Sequence, residues 1–229
     1  MTRYVWPEDV FVHKPAFLIT IDTEGDNLWQ KHDSITTENA RYLPRFQQLC
    51  EKYGFKPVWL TNYEMAIDPV YIEFAKDAIA RGTAEIGMHL HAWNSPPTDP
   101  LTDDDWRHKP YLIEYSDAAM RAKVDYMTRL LEETFQTKMV SHRAGRWAFD
   151  ERYARLLMEY GYLVDCSVTP RVNWKTAKGA PQGDGGTDYR HFPQHAYFLD
   201  ENDIRREGQS SLLEVPMSIQ SVSYTHLTL

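Results

Sequence analysis

The feature that most limits what this chain can fold into is a repeating hydrophobic pattern. Short apolar runs stop abruptly at ionisable residues and alternate with stretches of helical spacing. The first run, Ala16-Phe17-Leu18-Ile19-Thr20-Ile21, ends at Asp22 and predicts a buried strand. From about Thr37, residues Leu43, Phe46, Leu49 and Tyr53 recur at helical spacing up to Gly54. Pro44 has no place inside a helix, so two pieces are expected, the second with the proline in its first turn. The cycle then repeats with a strand over 58–60, a helix over 70–81 stopped by Gly82, and a strand over 85–90. A loop rich in Pro and Asp follows over 94–110. A long helix capped by Ser116 comes next, with Met120, Val124, Met127, Leu131 and Phe135 on one face. A strand over 139–141, a helix around 153–160 closed by Gly161, and a strand over 162–164 complete the repeat. Residues 169–210 read as an irregular polar region, and 212–216 resume the strand pattern. Such alternation predicts a parallel sheet with crossover helices, and a barrel and an open doubly wound sheet both fit.

Composition excludes several function classes. With 25 Lys+Arg against 33 Asp+Glu the net charge is −8, which opposes a polyanion partner and argues against nucleic acid. No G-x-G-x-x-G or G-x-x-x-x-G-K-[ST] follows any strand, so nucleotide binding loses its usual support. Cys50 and Cys166 are too few for a disulfide framework or a cysteine-based zinc module. No run approaches the roughly 18 apolar residues of a membrane span. The opening MTRYVWPEDVFVHKP has neither an apolar centre nor a cleavage site, so a cytoplasmic protein is expected. Nothing points to a protein partner. The 13% aromatic content, with seven Trp and 14 Tyr, serves either a core or a sugar-binding cleft.

The chemistry collects where the strands end: Asp22-Thr23-Glu24, His89-Leu90-His91, His142-Arg143 and Asp165-Cys166-Ser167. In parallel α/β folds these ends share one face, where sites are built. Residues at i and i+2 on an extended chain point the same way, which pairs Asp22 with Glu24 and His89 with His91. Two carboxylates and two imidazoles suit a divalent metal of the zinc type, with a carboxylate to spare as base. Taken singly, an Asp at a strand end is commonly a cap and a His pair is commonly structural. Their convergence after successive strands is what argues for a site. His191 and His195 have H-x₃-H spacing but lack helical periodicity, and read as loop or cleft; His13, His32 and His108 are isolated.

These residues resemble the polysaccharide deacetylase family, the carbohydrate esterases with NodB homology. Four of its five motifs have counterparts in order. They are Ile19-Thr20-Ile21-Asp22-Thr23-Glu24, Glu85-Ile86-Gly87-Met88-His89-Leu90-His91, Arg143-Ala144-Gly145-Arg146-Trp147 and Gly161-Tyr162-Leu163-Val164-Asp165-Cys166-Ser167. The match spans about 16–217 and looks most like a bacterial subgroup whose second motif reads H-L-H-x-W. The resemblance implies an α/β fold, a distorted (β/α) barrel of about seven parallel strands, and metal-dependent removal of acetyl groups from sugars. It places the general base on Asp22, metal ligands on Glu24 and His89, and the residue bracing the base on Arg143. The usual second motif spaces its histidines four apart, and here that position is Trp93, so His91 would be the other ligand. The fifth motif, which supplies a histidine acid, has no counterpart. Val222-Ser223-Tyr224-Thr225-His226-Leu227-Thr228-Leu229 resembles a translated sequencing-adaptor tail, so His226 is not recruited for that role. The expected organisation is an extension over 1–15, a barrel over 16–221 incomplete at its C-terminus, and a non-native tail over 222–229.

The function this implies is hydrolysis of N- or O-acetyl groups on a polysaccharide or glycan precursor, assisted by zinc or another divalent transition metal. Trp93, Trp106, Tyr111, Arg146 and Trp147 are the candidate substrate contacts, and Asp165 and Ser167 orient neighbours. Two rivals stay open: a catalytically silent carbohydrate-binding barrel, and an amidohydrolase acting on a non-sugar amide.

Overall fold

The computed structural model describes residues 16–30 and 34–220. The expected extension over 1–15, the tail over 222–229 with His226, and the isolated His13 and His32 lie outside the described residues.

Strand and helix alternate as the hydrophobic pattern predicts. The strands are β1 (Thr20–Thr23), β2 (Val58–Thr61), β3 (Glu85–Leu90), β4 (Ser141–Ala144), β5 (Val164–Asp165), β6 (Tyr197–Asp200), β7 (Asp203–Glu207) and β8 (Leu213–Glu214). They form one eight-stranded sheet in the order β1-β2-β3-β4-β5-β8-β6-β7. Each neighbouring pair from β1 to β5, and β5 with β8, is parallel; β6 runs antiparallel to both β8 and β7. Among the described residues, the parallel part thus has six strands where about seven were expected, and a hairpin completes the sheet. That hairpin lies in the stretch expected to be irregular. Tyr197 and Leu199 bury alternate side chains on β6, but the signal is short and runs straight into charge. The turn forms because Asp200 Oδ1 accepts from the backbone N–H groups of Asn202 and Asp203 at 2.9 and 3.1 Å.

The helices are α1 (Leu43–Lys52), α2 (Tyr63–Ala66), α3 (Pro69–Ala80), α4 (Asp105–His108), α5 (Asp117–Phe135) and α6 (Glu151–Glu159). A separate 3₁₀ turn over Glu38–Tyr42 precedes α1, which takes Pro44 in its first turn, the break the proline predicts. Side-chain caps start the others: Asp68 accepts from Tyr71 N at 2.7 Å, Ser116 from Ala119 N at 3.3 Å and Asp150 from Tyr153 N at 2.9 Å. The expected face of α5 is buried along its whole length, in the same core as Trp59, Met88 and Leu90. Burying each such Leu or Met contributes about 1.5–3 kcal/mol. No helix of the described residues is long and apolar enough to cross a membrane.

Among the boundaries that move, two matter most for the site. Phe17 and Leu18 are 72% and 61% exposed, so the regular part of β1 begins at Thr20 and carries Asp22 inside the strand. β4 begins at Ser141 rather than Met139, which puts His142 and Arg143 within the strand and on opposite sides of it.

β3 approaches β4 so closely that a Cβ on Gly87 would lie 2.3 Å from Ser141 Oγ and 2.7 Å from Ser141 O. Gly87→Ala is therefore expected to lower stability by about 1–3 kcal/mol, since packed interiors resist added volume. Urea denaturation measures this, and an unchanged midpoint would show that the two strands separate there without cost.

Candidate active site

The centre of the site is one carboxylate shared by two imidazoles. Glu24 Oε1 lies 2.9 Å from His89 Nε2 and 2.6 Å from His91 Nε2, and the three ligand atoms fall within 4.8 Å of one another. His89 Nδ1–H donates to the carbonyl of Arg143 at 2.9 Å, which fixes the ring so that Nε2 faces Glu24. Both nitrogens of His89 face oxygen acceptors, which favours the doubly protonated ring. Burial opposes that charge, but Asp22 and Glu24 outweigh it and raise the His89 pKa. Burial, reinforced by the neighbouring His89, pushes His91 down to about 4, so this ring is neutral. Burial also pushes Glu24 upward, yet the hydrogen bonds from the two histidines hold its carboxyl well below the usual range. An ionised carboxylate and two buried imidazoles in this cluster are a donor set that fits a zinc-type ion.

The surrounding loops hold these groups in place. Trp29 Nε1–H donates to Glu24 Oε2 at 2.8 Å, leaving Oε1 to the histidines. Asn39 Nδ2 donates to the Glu24 carbonyl at 2.7 Å. Buried Glu64, on α2, accepts from Gly25 N at 2.6 Å and from Asn94 Nδ2 at 2.7 Å, tying the segment after β1 to the turn that follows His91. His91 packs against Gly145, where a Cβ would lie 2.6 Å from Nδ1, so that glycine admits the ring.

Arg143 crosses the mouth of the sheet. Its side chain is 2% exposed; Nη1 donates to Asp22 Oδ1 at 2.6 Å, Nε to the Cys166 carbonyl at 3.0 Å, and Nη2 to Thr20 Oγ1. The guanidinium carbon sits 4.9 Å from the centroid of the Trp147 ring. Arg146 and Trp147 have φ of 56° and 62°, two successive non-glycine residues in the left-handed region. Such a conformation costs about 1–3 kcal/mol per residue and recurs at functional sites. Trp147 is secured by its carbonyl, which accepts from Tyr189 Oη at 2.5 Å.

A cavity of about 330 Å³ opens onto the cluster, lined by Asp22, Glu24, Trp29, His89, His91, Tyr111, Arg146, Trp147, Trp174 and Ala177. Of the contacts expected from sequence, Tyr111, Arg146 and Trp147 line it. Two others sit elsewhere. Trp93 is 5% exposed and packs behind His91, ring centroids 4.4 Å apart, because the chain turns inward after β3. Trp106, on α4, borders a neighbouring cavity with Trp93 and Lys123. Asp165 and Ser167 are buried away from the cavity: Asp165 accepts from His142 Nδ1–H at 2.6 Å, and Ser167 Oγ accepts from Ala144 N at 2.8 Å. His195 pairs with exposed Glu207, and neither it nor His191 reaches the cavity.

No protein-family model matches the chain, and no curated protein is similar to it in sequence. Solved structures do match. A candidate polysaccharide deacetylase from Mycobacterium smegmatis superposes with a TM-score of 0.56 at 18% identity, over 88% of this chain and 58% of that one. The chain has the polysaccharide deacetylase fold. It spans little more than half the length of the mycobacterial protein. Weaker overlaps, with TM-scores of 0.45 and 0.43, are with a CE4 family pseudoenzyme from Bacillus anthracis and a deacetylase domain from Bordetella bronchiseptica. The former is 14% identical over 69% of this chain and 45% of that one, the latter 11% identical over 86% and 70%.

Within this deacetylase fold, sequence reading missed two rings of the cavity, Trp29 and Trp174. Trp29 stands five residues beyond Glu24, and its place on the loop leaving a strand end was the available signal. Trp174 lies in the polar stretch, where no periodicity marks it.

Two outcomes follow from the geometry. A zinc ion held by these residues would displace the Nε2 proton of His89, so its binding should release protons and weaken as pH falls through the raised pKa of that ring. Titration calorimetry in buffers of different ionisation enthalpy reads this, and a pH-independent affinity would remove His89 from the ligand set. Trp29→Phe should weaken zinc binding by about 10–100-fold. Its ring is 49% exposed, so the melting temperature should barely move. Unaltered affinity would mean that the backbone alone orients Glu24.

Proposed function

We propose that this chain is a metal-dependent hydrolase that removes acetyl groups from N- or O-acetylated sugars. One observation carries the reading: Asp22, fixed by buried Arg143, lines the same aromatic cavity as Glu24, His89 and His91. A divalent cation of the zinc type at those three side chains supplies Lewis acidity that polarises an acetyl carbonyl and makes water a better nucleophile.

The remaining work falls to the chain's own groups. Asp22 takes the proton of the attacking water, and the 2.6 Å hydrogen bond from Arg143 holds its carboxylate in place. Asp22 is also the one cavity carboxylate not turned toward the histidines, so it can return that proton to the departing amine or alcohol. Tyr111, Trp147 and Trp174 exclude water and offer apolar ring surface to a sugar. A space of about 330 Å³ suits a single acetylated sugar unit. We read H-L-H-x-W as a variant second motif in which His91 takes the place of the later histidine, and the six parallel strands as those of the family's distorted barrel. The absence of any further histidine among the described cavity residues favours a second reading, a silent carbohydrate-binding module.

Acetate release from acetylated chitooligosaccharides and sugar acetyl esters separates the two. The hydrolase should lose its release on chelation and regain it with zinc. Asp22→Asn should still bind zinc but turn over about 10²–10⁴-fold more slowly. A fully active variant would mean that the base lies elsewhere, and carbohydrate binding without any acetate release would establish the silent module.

A further inference from the structure

We propose that the acetylated sugar carries an anionic group, a carboxylate or a phosphate, which Arg146 receives; the inference rests on the hydrolase reading above. Arg146 lines the cavity with its guanidinium carbon 4.0 Å from the Tyr111 ring centroid. Its hydrogen bonds go only to backbone: Nη1 to the carbonyls of Lys109 and His108, and Nη2 to that of Lys178 at 2.9 Å. Among the described residues it makes no ion pair, and no hydrogen bond uses its Nε. Glu114 is the carboxylate whose field reaches it; its Oε2 accepts from Tyr111 N and Ala180 N at 2.7 and 3.0 Å, and it makes no ion pair with Arg146. Among the described residues, neither lysine whose carbonyl holds Arg146 makes an ion pair. Lys109 Nζ donates to the Trp106 carbonyl and Lys178 Nζ to that of Gly183, each at 2.8 Å.

Lys109 stands close enough for the Arg146 charge to act against its own, in a chain of net charge −8. The cavity's acids cannot be what Arg146 balances. Asp22 is matched by Arg143, and Glu24 faces two histidines and the position of a cation. Arg146 is thus the cavity cation with no ion-pair partner among the described residues, set 4.0 Å from the Tyr111 ring centroid, and its planar fork fits carboxylate and phosphate oxygens.

The test measures binding of three probes to the zinc-loaded protein by calorimetry: N-acetylglucosamine, 2-acetamido-2-deoxyglucuronic acid and N-acetylglucosamine 1-phosphate. At least one anionic probe should bind about tenfold more tightly than the neutral sugar. That preference should shrink with added salt and vanish in Arg146→Gln. Which anion is preferred distinguishes a uronic acid from a phosphorylated sugar. Equal affinities, no binding of any probe, or a preference that survives in Arg146→Gln would overturn the proposal. Should that variant fail to fold, the double substitution Lys109→Gln and Lys178→Gln must reduce the preference and its salt dependence, and an unchanged preference again overturns it. Acetate release from the same probes keeps the two readings apart. Preference without release defeats the hydrolase and leaves the anion site, whereas release from the neutral sugar without preference does the reverse.

Discussion

The arrangement depends on one buried charge. Arg143 stands on β4 with almost no exposure, and its guanidinium is satisfied by groups from β1 and from the segment after β5. Removing one partner from such a buried pair costs about 3–5 kcal/mol, because the other charge is left stranded in low dielectric. The strand ends therefore cannot drift apart independently. Asp22 is held where Arg143 can reach it, and the Arg143 carbonyl in turn receives His89 Nδ1–H. A single residue thus orients the proposed base through its side chain and a proposed ligand through its backbone.

A second tier of contacts converts this frame into a cavity. Glu64 joins the loop carrying Glu24 to the turn carrying His91, while burial raises its own pKa against the hydrogen bonds from Gly25 and Asn94. Trp29 touches both ligand loops, through its hydrogen bond to Glu24 and its edge-on contact with the His91 ring at 5.2 Å. The left-handed pair Arg146 and Trp147 then throws one cation and one ring inward from the end of β4. Local backbone cost is spent where it places side chains that no regular strand could deliver.

How much of this was legible in the sequence follows from what each kind of signal measures. Hydrophobic periodicity reports burial along one element, so the α5 face and the break at Pro44 appeared where expected. The i, i+2 rule on an extended chain was enough to pair His89 with His91. Periodicity does not report the next turn of the chain. Trp93 continues the alternation beyond His91 and looks like a cleft residue, but the backbone bends there and packs it behind the His91 ring. The β6–β7 hairpin was hidden because its pairing depends on the β8 edge, a partner distant in sequence, rather than on its own weak pattern. Arg146 and Trp147 could be named as a motif, whereas the positive φ that aims them leaves no mark on composition.

The two sides of β4 explain why so many ionisable residues can share one sheet. Arg143 pairs with Asp22 at 2.6 Å, on the side open to the cavity. On the other side, burial drives His142 to its neutral form, with Nδ1–H given to Asp165 and Nε2 accepting from Tyr153 Oη at 2.7 Å. Burial and the nearby Asp165 push Glu214 far above the ordinary carboxyl range, so it retains its proton, while hydrogen bonding outweighs burial at Asp165 and keeps that carboxyl ionised. The dry side therefore holds one charge among three ionisable residues, and that charge is stabilised by Ser167 N and Oγ at 3.0 and 2.9 Å. Ser167 Oγ also accepts from Ala144 N, so the neutralised network bears directly on the strand end from which Arg146 and Trp147 turn inward. The ion pair of Arg143 with Asp22 thus faces the cavity, while on the opposite side burial suppresses ionisation at His142 and Glu214.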